Sequence, residues 1–151
     1  RYFNVFGPQQ DPNSQYAAVI PKFITASIAN EPFTIHGDGE QTRDFTFIRN
    51  VINANLSACV SDENSLGKFY NIGCSSNISI NELAKLIIKL NSSKSEINYT
   101  PPRPGDVKDS FADINLAKEL LKLQSFISLE NGLTETIKWY KENYELTKNT
   151  T

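Results

Sequence analysis

Apolar residues recur at helical spacing in several stretches of this chain and alternate, strand-like, in shorter ones between them. Val19 to Ala29 carries Ile20, Phe23, Ile24 and Ile28 close to helical spacing, with Pro21 in the first turn, where a missing N–H is tolerated. Val51 to Val60 predicts a second helix burying Ile52, Leu56, Cys59 and Val60. Ser79-Ile80-Asn81-Glu82 has the spacing of a capping box and predicts a helix with Leu83, Ala84, Ile87 and Leu90 on one face. Asp113 is placed to cap a helix burying Leu116, Ala117, Leu120 and Leu121. Leu133 to Tyr144 reads as the last long helix, with Ile137, Tyr140 and Tyr144 inward. Strands are expected at Tyr2 to Phe6, stopped by Gly7-Pro8, and at Phe33 to His36 and Phe45 to Phe47, with Gly37 and Gly39 turning between these two. Lys68 to Ile72 and Ile97 to Thr100 complete the set, and the tail from Glu145 reads as frayed. The pattern is mixed α/β with short strands and no internal repeat.

Composition narrows the class. A chain of 151 residues with 39% hydrophobic and 21% charged positions suits one soluble globular domain. The formal net charge of −2 leaves no global electrostatic footprint for nucleic acid. The apolar runs are far short of a membrane span, and no signal peptide is recognisable. Cys59 on an apolar stripe and Cys74 after a strand read as buried free thiols in a reducing cytoplasm. The chain holds no methionine and opens on Arg1-Tyr2-Phe3-Asn4, so it is expected to be a fragment of a longer protein.

Two loops carry the candidate chemistry. Gly37-Asp38-Gly39-Glu40-Gln41-Thr42-Arg43-Asp44 and Pro101-Pro102-Arg103-Pro104-Gly105-Asp106 each set an arginine beside an acid in a stretch turned or stiffened by Gly and Pro. An arginine fork matches phosphate oxygens with paired charge-assisted hydrogen bonds, so two such loops can converge on a diphosphate. The alternative is that each arginine pairs with its neighbouring acid at the surface. No Gly-x-Gly-x-x-Gly follows a strand, so the chain by itself is not expected to cradle a dinucleotide. No metal-spaced Cys/His cluster and no Ser-His-Asp set occurs, and His36, the only histidine, reads as structural or surface rather than as a base. Tyr144 and Lys148 have the Tyr-x-x-x-Lys spacing of a reductase pair but lie at the end of the chain, and we take that spacing as coincidence.

The order of motifs resembles the C-terminal half of an extended short-chain dehydrogenase/reductase, the NAD-dependent epimerase/dehydratase family. The resemblance rests on Arg1-Tyr2-Phe3-Asn4-Val5-Phe6-Gly7-Pro8, Ala18-Val19-Ile20-Pro21-Lys22-Phe23, Gly37-Asp38-Gly39 with Arg43-Asp44-Phe45, Tyr70-Asn71-Ile72-Gly73, and Pro102-Arg103-Pro104-Gly105-Asp106-Val107. Within the family, Gln10-Asp11-Pro12-Asn13 and Tyr16 to Pro21 look most like bacterial UDP-N-acetylglucosamine 4-epimerases. The resemblance implies a mixed α+β substrate-binding portion, with the NAD-binding Rossmann portion outside this chain.

It also implies roles. Asn4 would donate to the substrate diphosphate or hold its own turn, and Ala18 and Val19 would present main-chain groups to uracil at a helix start. Lys22 faces the same ligand or solvent. Arg43 and Arg103 correspond to diphosphate-binding arginines, Asp106 to the acid that holds the ribose, and Ser110 to a residue beside the sugar 2-position. Tyr2 and Phe3 would lie near the nicotinamide of NAD, or serve as core aromatics. Asn71 to Gly73 reads as architecture. No catalytic residue is expected in this chain, and the chain alone is expected to be inactive. Family dimers form through the half this chain lacks, so a homodimer is an implication for the whole enzyme only. Alternatives within the family are a UDP-glucose 4-epimerase, a UDP-uronate epimerase or decarboxylase and a nucleotide-sugar dehydratase. Outside catalysis they are a nucleotide-sugar-binding protein or a plain α/β interaction domain.

Overall fold

A computed structural model describes residues 1–12 and 19–144. The expectations for Ala18, for the motif at 13–18, and for the tail from Glu145 with Lys148 lie outside the described residues. Along the chain run β1 (Val5–Phe6), α1 (Val19–Ala29), β2 (Phe33–His36), β3 (Thr42–Arg43), β4 (Thr46–Phe47) and α2 (Ile48–Cys59). After a 3₁₀ turn at Glu63–Ser65 come β5 (Ile78–Ser79), α3 (Ile80–Asn91), β6 (Ile97–Thr100), α4 (Asn115–Leu120) and α5 (Leu129–Glu142).

Three short strand pairs tie distant segments together. β1 and β4 are parallel, β3 and β5 antiparallel, and β2 and β6 parallel in the register Phe33 to Ile97 through His36 to Thr100. The main core joins α1, α3 and α5 through Ile20, Phe23, Ile24, Leu83, Ile87, Leu133 and Tyr140, packed on Phe33, Ile35 and Phe47. Phe23 stacks on Phe33 with ring centroids 4.5 Å apart, which fixes α1 against β2. A smaller core holds Val51, Ala54, Ile72, Ala117 and Leu121.

The expected capping box is present. Glu82 N–H donates to Ser79 Oγ (3.1 Å) and Ser79 N–H to Glu82 Oε2 (3.0 Å), so α3 starts at Ile80. The Ser79 N–H, with the Ser79 hydroxyl (3.0 Å) beside it, donates to the carboxylate and holds Glu82 below the usual carboxylate range.

Several expectations are corrected. In α2 the buried positions are Asn50, Val51 and Ala54. The row Ile48, Ile52, Leu56 and Val60, one turn apart, faces outward, with Leu56 62% and Val60 85% exposed. Cys59 on that side is exposed and Cys74 half-buried; both are free thiols. Burial and the neighbouring Asp44 push the Cys74 thiol up. The expected first strand breaks at Asn4, whose φ of 36° lies in the left-handed region, leaving a Tyr2–Ile72 bridge and the two residues of β1. Of Lys68 to Ile72 only Ile72 pairs. Asp113 accepts from Asn115 N–H (3.0 Å) as a turn, while Ile114 holds the cap position and Leu116 is exposed. α5 starts earlier than expected, at Leu129, behind Ser128, whose hydroxyl accepts from Asn131 N–H (3.3 Å).

Candidate nucleotide-sugar site

The parallel pairing of β2 with β6 puts the ends His36 and Thr100 side by side, so the two arginine loops leave from one edge of the molecule. Gly37 N–H donates to Thr100 O (2.9 Å) and begins the first turn with φ 81°. The outgoing arm of that loop is zipped to the second. Thr42 N–H donates to Lys108 O (2.8 Å), and Ser110 N–H donates to Thr42 O (3.1 Å). Thr42 Oγ1 also donates to Asp109 Oδ1 (2.9 Å). Gly105, φ 79°, permits the tight bend between Arg103 and Asp106.

Within this frame Arg43 donates to Asp106, Nη2 to Oδ1 at 2.5 Å, and to the carbonyls of Thr42 and Lys108. Arg103 Nη2 lies 2.8 Å from His36 Nε2. Neither arginine pairs with the acid of its own loop. Asp44, beside Arg43, points the other way and is fully buried. Its two oxygens accept from Cys74 N–H (2.9 Å) and Ala112 N–H (3.2 Å), pinning three segments under the site. Gly73 makes room for this knot: a Cβ there would sit 2.5 Å from Ala112 Cβ and 3.0 Å from Asp44 Oδ2. Asn50 plays a similar part, exchanging two hydrogen bonds with the main chain of Ile127 (2.8 and 2.9 Å).

A cavity of about 240 Å³ opens between the loops, lined by Asn4, Val19, His36, Arg43, Arg103 and Asp106 among others. A second, of about 380 Å³, shares Val19, Thr34, His36 and Arg103 and runs on past Lys22 and Phe23 to Pro32. Together they form one groove with a charged end and an apolar end. Most of the expected substrate residues thus meet in it, although Val19 and Arg103 lie 84 positions apart in sequence. Ser110 sits behind Asn4, its Oγ accepting from Asn4 Nδ2 (3.3 Å), while that amide also donates to Asp44 O (2.9 Å). Tyr2 and Phe3 line neither cavity. Tyr2 is largely exposed and donates to Asn55 Oδ1 (2.9 Å). The sequence reading missed His36, Thr34 and Gln41; the alternation along β2, which puts the side chains of residues 34 and 36 on one face, was the available signal.

Nothing among the described residues builds a dinucleotide cradle. No helix opens at the Gly37–Gly39 turn, and a Cβ on Gly39 would collide with Asn81 Oδ1. Among the described residues no group of His, Cys, Asp and Glu is placed to hold a metal ion, and no helix is long and apolar enough to cross a membrane.

Residues 1–73 match the NAD dependent epimerase/dehydratase family. A UDP-N-acetyl-alpha-D-glucosaminuronate decarboxylase of Bacillus cytotoxicus is 35% identical over 148 residues, 94% of this chain and 45% of that protein. The chain belongs to this family. Two solved structures are similar over 95% of the chain and 45% of their own length. The UDP-N-acetylglucosamine 4-epimerase of Methanobrevibacter ruminantium, in complex with UDP-N-acetylmuramic acid, has a TM-score of 0.87 at 40% identity. The UDP-glucuronic acid 4-epimerase of Bacillus cereus, in complex with UDP-glucuronic acid and NAD, has 0.86 at 33%. The chain therefore spans a little under half the length of the proteins it matches.

Proposed function

We propose that this chain is the nucleotide-sugar-binding portion of an NAD-dependent UDP-N-acetylhexosamine 4-epimerase, and that it grips UDP while the sugar C4 is oxidised and re-reduced. The observation that carries the reading is the meeting of Asn4, Arg43, Arg103 and Asp106 in one cavity at the ends of β2 and β6. Arg43 and Arg103 supply forks for a diphosphate, and Asn4, whose amide hydrogens go to Asp44 O and Ser110 Oγ, borders them as a neutral wall. Asp106, on a Gly105 bend and 39% exposed at its side chain, is free to leave Arg43 when phosphate arrives and to accept from ribose hydroxyls. At the apolar end, the β2–β6 register directs the main-chain groups of Thr34 and His36 away from β6; His36 O accepts from Gln41 Nε2 (2.8 Å), and the groups of Thr34 suit the donor and acceptor edge of a uracil. Lys22 and Val19 border that end. Ala18 keeps its proposed place at the same ligand, and Tyr2 and Phe3 theirs near the nicotinamide of the whole protein.

Remote grip of this kind suits an epimerase, because binding energy on the UDP part retains a keto-sugar intermediate while the hexose turns. NAD supplies the hydride acceptor and donor, and we assign its binding to the part of the whole protein beyond this chain. The outward row Ile48, Ile52, Leu56 and Val60, with Tyr2 beside it, is the surface we assign to that part. The N-acetyl preference is supported by the 40% likeness to an N-acetylglucosamine epimerase and by the small side chain at Ser110. The 35% likeness to a decarboxylase of an N-acetylated uronate favours a second reading, decarboxylation of such a sugar nucleotide. Incubating the whole protein with NAD and either UDP-N-acetylglucosamine or UDP-N-acetylglucosaminuronate separates them. Interconversion with the galacto epimer supports the first, release of carbon dioxide the second, and inertness toward both overturns the enzymatic reading.

A further inference from the structure

We propose that His36 is a positioning residue for Arg103, acting as a neutral imidazole that accepts a guanidinium hydrogen bond and aims the arginine into the groove. The proposal rests on the nucleotide reading above and assigns a task to a side chain that reading does not use. Arginine has donors only, so its 2.8 Å contact with His36 Nε2 requires that nitrogen to be unprotonated. The other ring nitrogen, Nδ1, is 2.9 Å from Thr100 Oγ1. The Thr100 hydroxyl proton is directed to Ile35 O (3.3 Å), leaving its oxygen to accept from Nδ1–H. The chain Arg103 to His36 to Thr100 to Ile35 is thereby satisfied in one tautomer only. It is built on β2 and β6, whose pairing at His36 and Thr100 holds both ends of the relay.

Arg103 itself stands in an exposed proline-flanked loop and has no carboxylate partner among the described residues, whereas Arg43 is held by Asp106 and two carbonyls. Without the imidazole, Arg103 would spread over many rotamers, and ordering it on a ligand would cost that freedom. The charged groups around the ring are Arg103 itself, Arg43 and Asp106 in the shared cavity and Lys22 of α1 in the adjoining one. An uncharged ring adds no repulsion to the three cations.

The test uses the whole protein with His36→Phe, which keeps a ring and removes the acceptor, and His36→Gln, whose amide oxygen can replace Nε2. Titration with UDP and with uridine separates arginine positioning from general damage. We expect His36→Phe to weaken UDP about tenfold, near the worth of one charged hydrogen bond, with uridine changed less than twofold. His36→Gln should recover UDP affinity to within about threefold, and His36→Phe should add nothing in an Arg103→Ala background. Nitrogen NMR of the imidazole, assigned by its loss in His36→Phe, should show Nδ1 protonated and Nε2 bare. An Nε2-protonated ring, equal losses of UDP and uridine, or a full His36→Phe effect without Arg103 would overturn the proposal. Failure of the unaltered protein to bind UDP would instead remove the nucleotide reading and the proposal with it.

Discussion

Arg43 reaches across 63 positions of sequence to Asp106, Nη2 to Oδ1 at 2.5 Å, and this pair joins the two loops that frame the groove. Asp44, next in sequence to Arg43, has the opposite fate: it is fully buried and accepts from the main-chain N–H groups of Cys74 and Ala112. Asp106 is 39% exposed at its side chain and Arg43 keeps two carbonyl acceptors without it, so loss of this solvent-screened pair costs about 0–1 kcal/mol, whereas each buried donor left without an acceptor costs about 1–3 kcal/mol. Asp106→Ala should therefore leave the urea midpoint nearly unchanged, and Asp44→Ala should lower it clearly. Equal midpoints for the two variants would mean that Asp44 is not the tie its geometry indicates.

Gly73 is the companion test of that knot. An alanine there would bring its Cβ to 2.5 Å from Ala112 Cβ and 3.0 Å from Asp44 Oδ2, a methyl fixed to its own main chain and a carboxylate held by two N–H groups. Overpacking of this kind costs about 1–3 kcal/mol. Gly73→Ala should lower the thermal midpoint, and it should do so less in an Asp44→Ala background, where one obstacle is gone. Additive losses would count against a shared cause.

Tyr140 links stability to alkaline pH. Its ring is fully buried and its hydroxyl donates to Gln10 O; burial, with a smaller push from Asp11, raises the phenol to about 12. An unfolded tyrosine titrates near 10, so between roughly pH 10 and 12 the unfolded chain loses the proton first. The folded-state advantage is whole below that window and shrinks as pH rises through it, by up to about 3 kcal/mol. Denaturant midpoints at about pH 9, 11 and 12 should fall more steeply in the unaltered protein than in Tyr140→Phe. Parallel slopes would refute the linkage.

Substrate scope is read at Ser110. The hydroxyl accepts from Asn4, so the residue lies directly behind a side chain that lines the charged end of the groove. Ser110→Tyr should fill the space assigned to an acetamido group and reduce kcat/KM for UDP-N-acetylglucosamine by about one to two orders of magnitude. Activity on UDP-glucose should be largely kept. Equal losses on both substrates would show that Ser110 does not meet the 2-substituent.

Where local pattern and end signals agreed, the fold was legible. Pro21 in a first turn and the Ser79–Glu82 box mark helices that start where expected, and β2 and β6 keep their expected bounds. α2 shows the limit of periodicity: Ile48, Ile52, Leu56 and Val60 form an apolar row, but a row does not say what covers it, and here the Val51–Ala54 side is buried instead. The convergence of the two arginine loops was posed by composition and decided by pairing. Nothing local to Arg43 favours Asp106 over Asp44, and only the zipper of Thr42 with Lys108 and Ser110 makes the choice. His36 escaped for the same reason, because its partners Thr100 and Arg103 lie 64 and 67 positions away.

The groove between the two loops is proposed to hold a nucleoside diphosphate, and calorimetric titration of the whole protein with UDP is the decisive measurement. Arg43→Ala and Arg103→Ala should each weaken UDP by about 1.5–3 kcal/mol, the worth of hydrogen bonds to a charged group. Uridine should bind the variants as it binds the unaltered protein, since both substitutions act on the phosphate end. UDP affinity left unaltered in both variants would contradict the account and reduce the two arginines to loop fasteners.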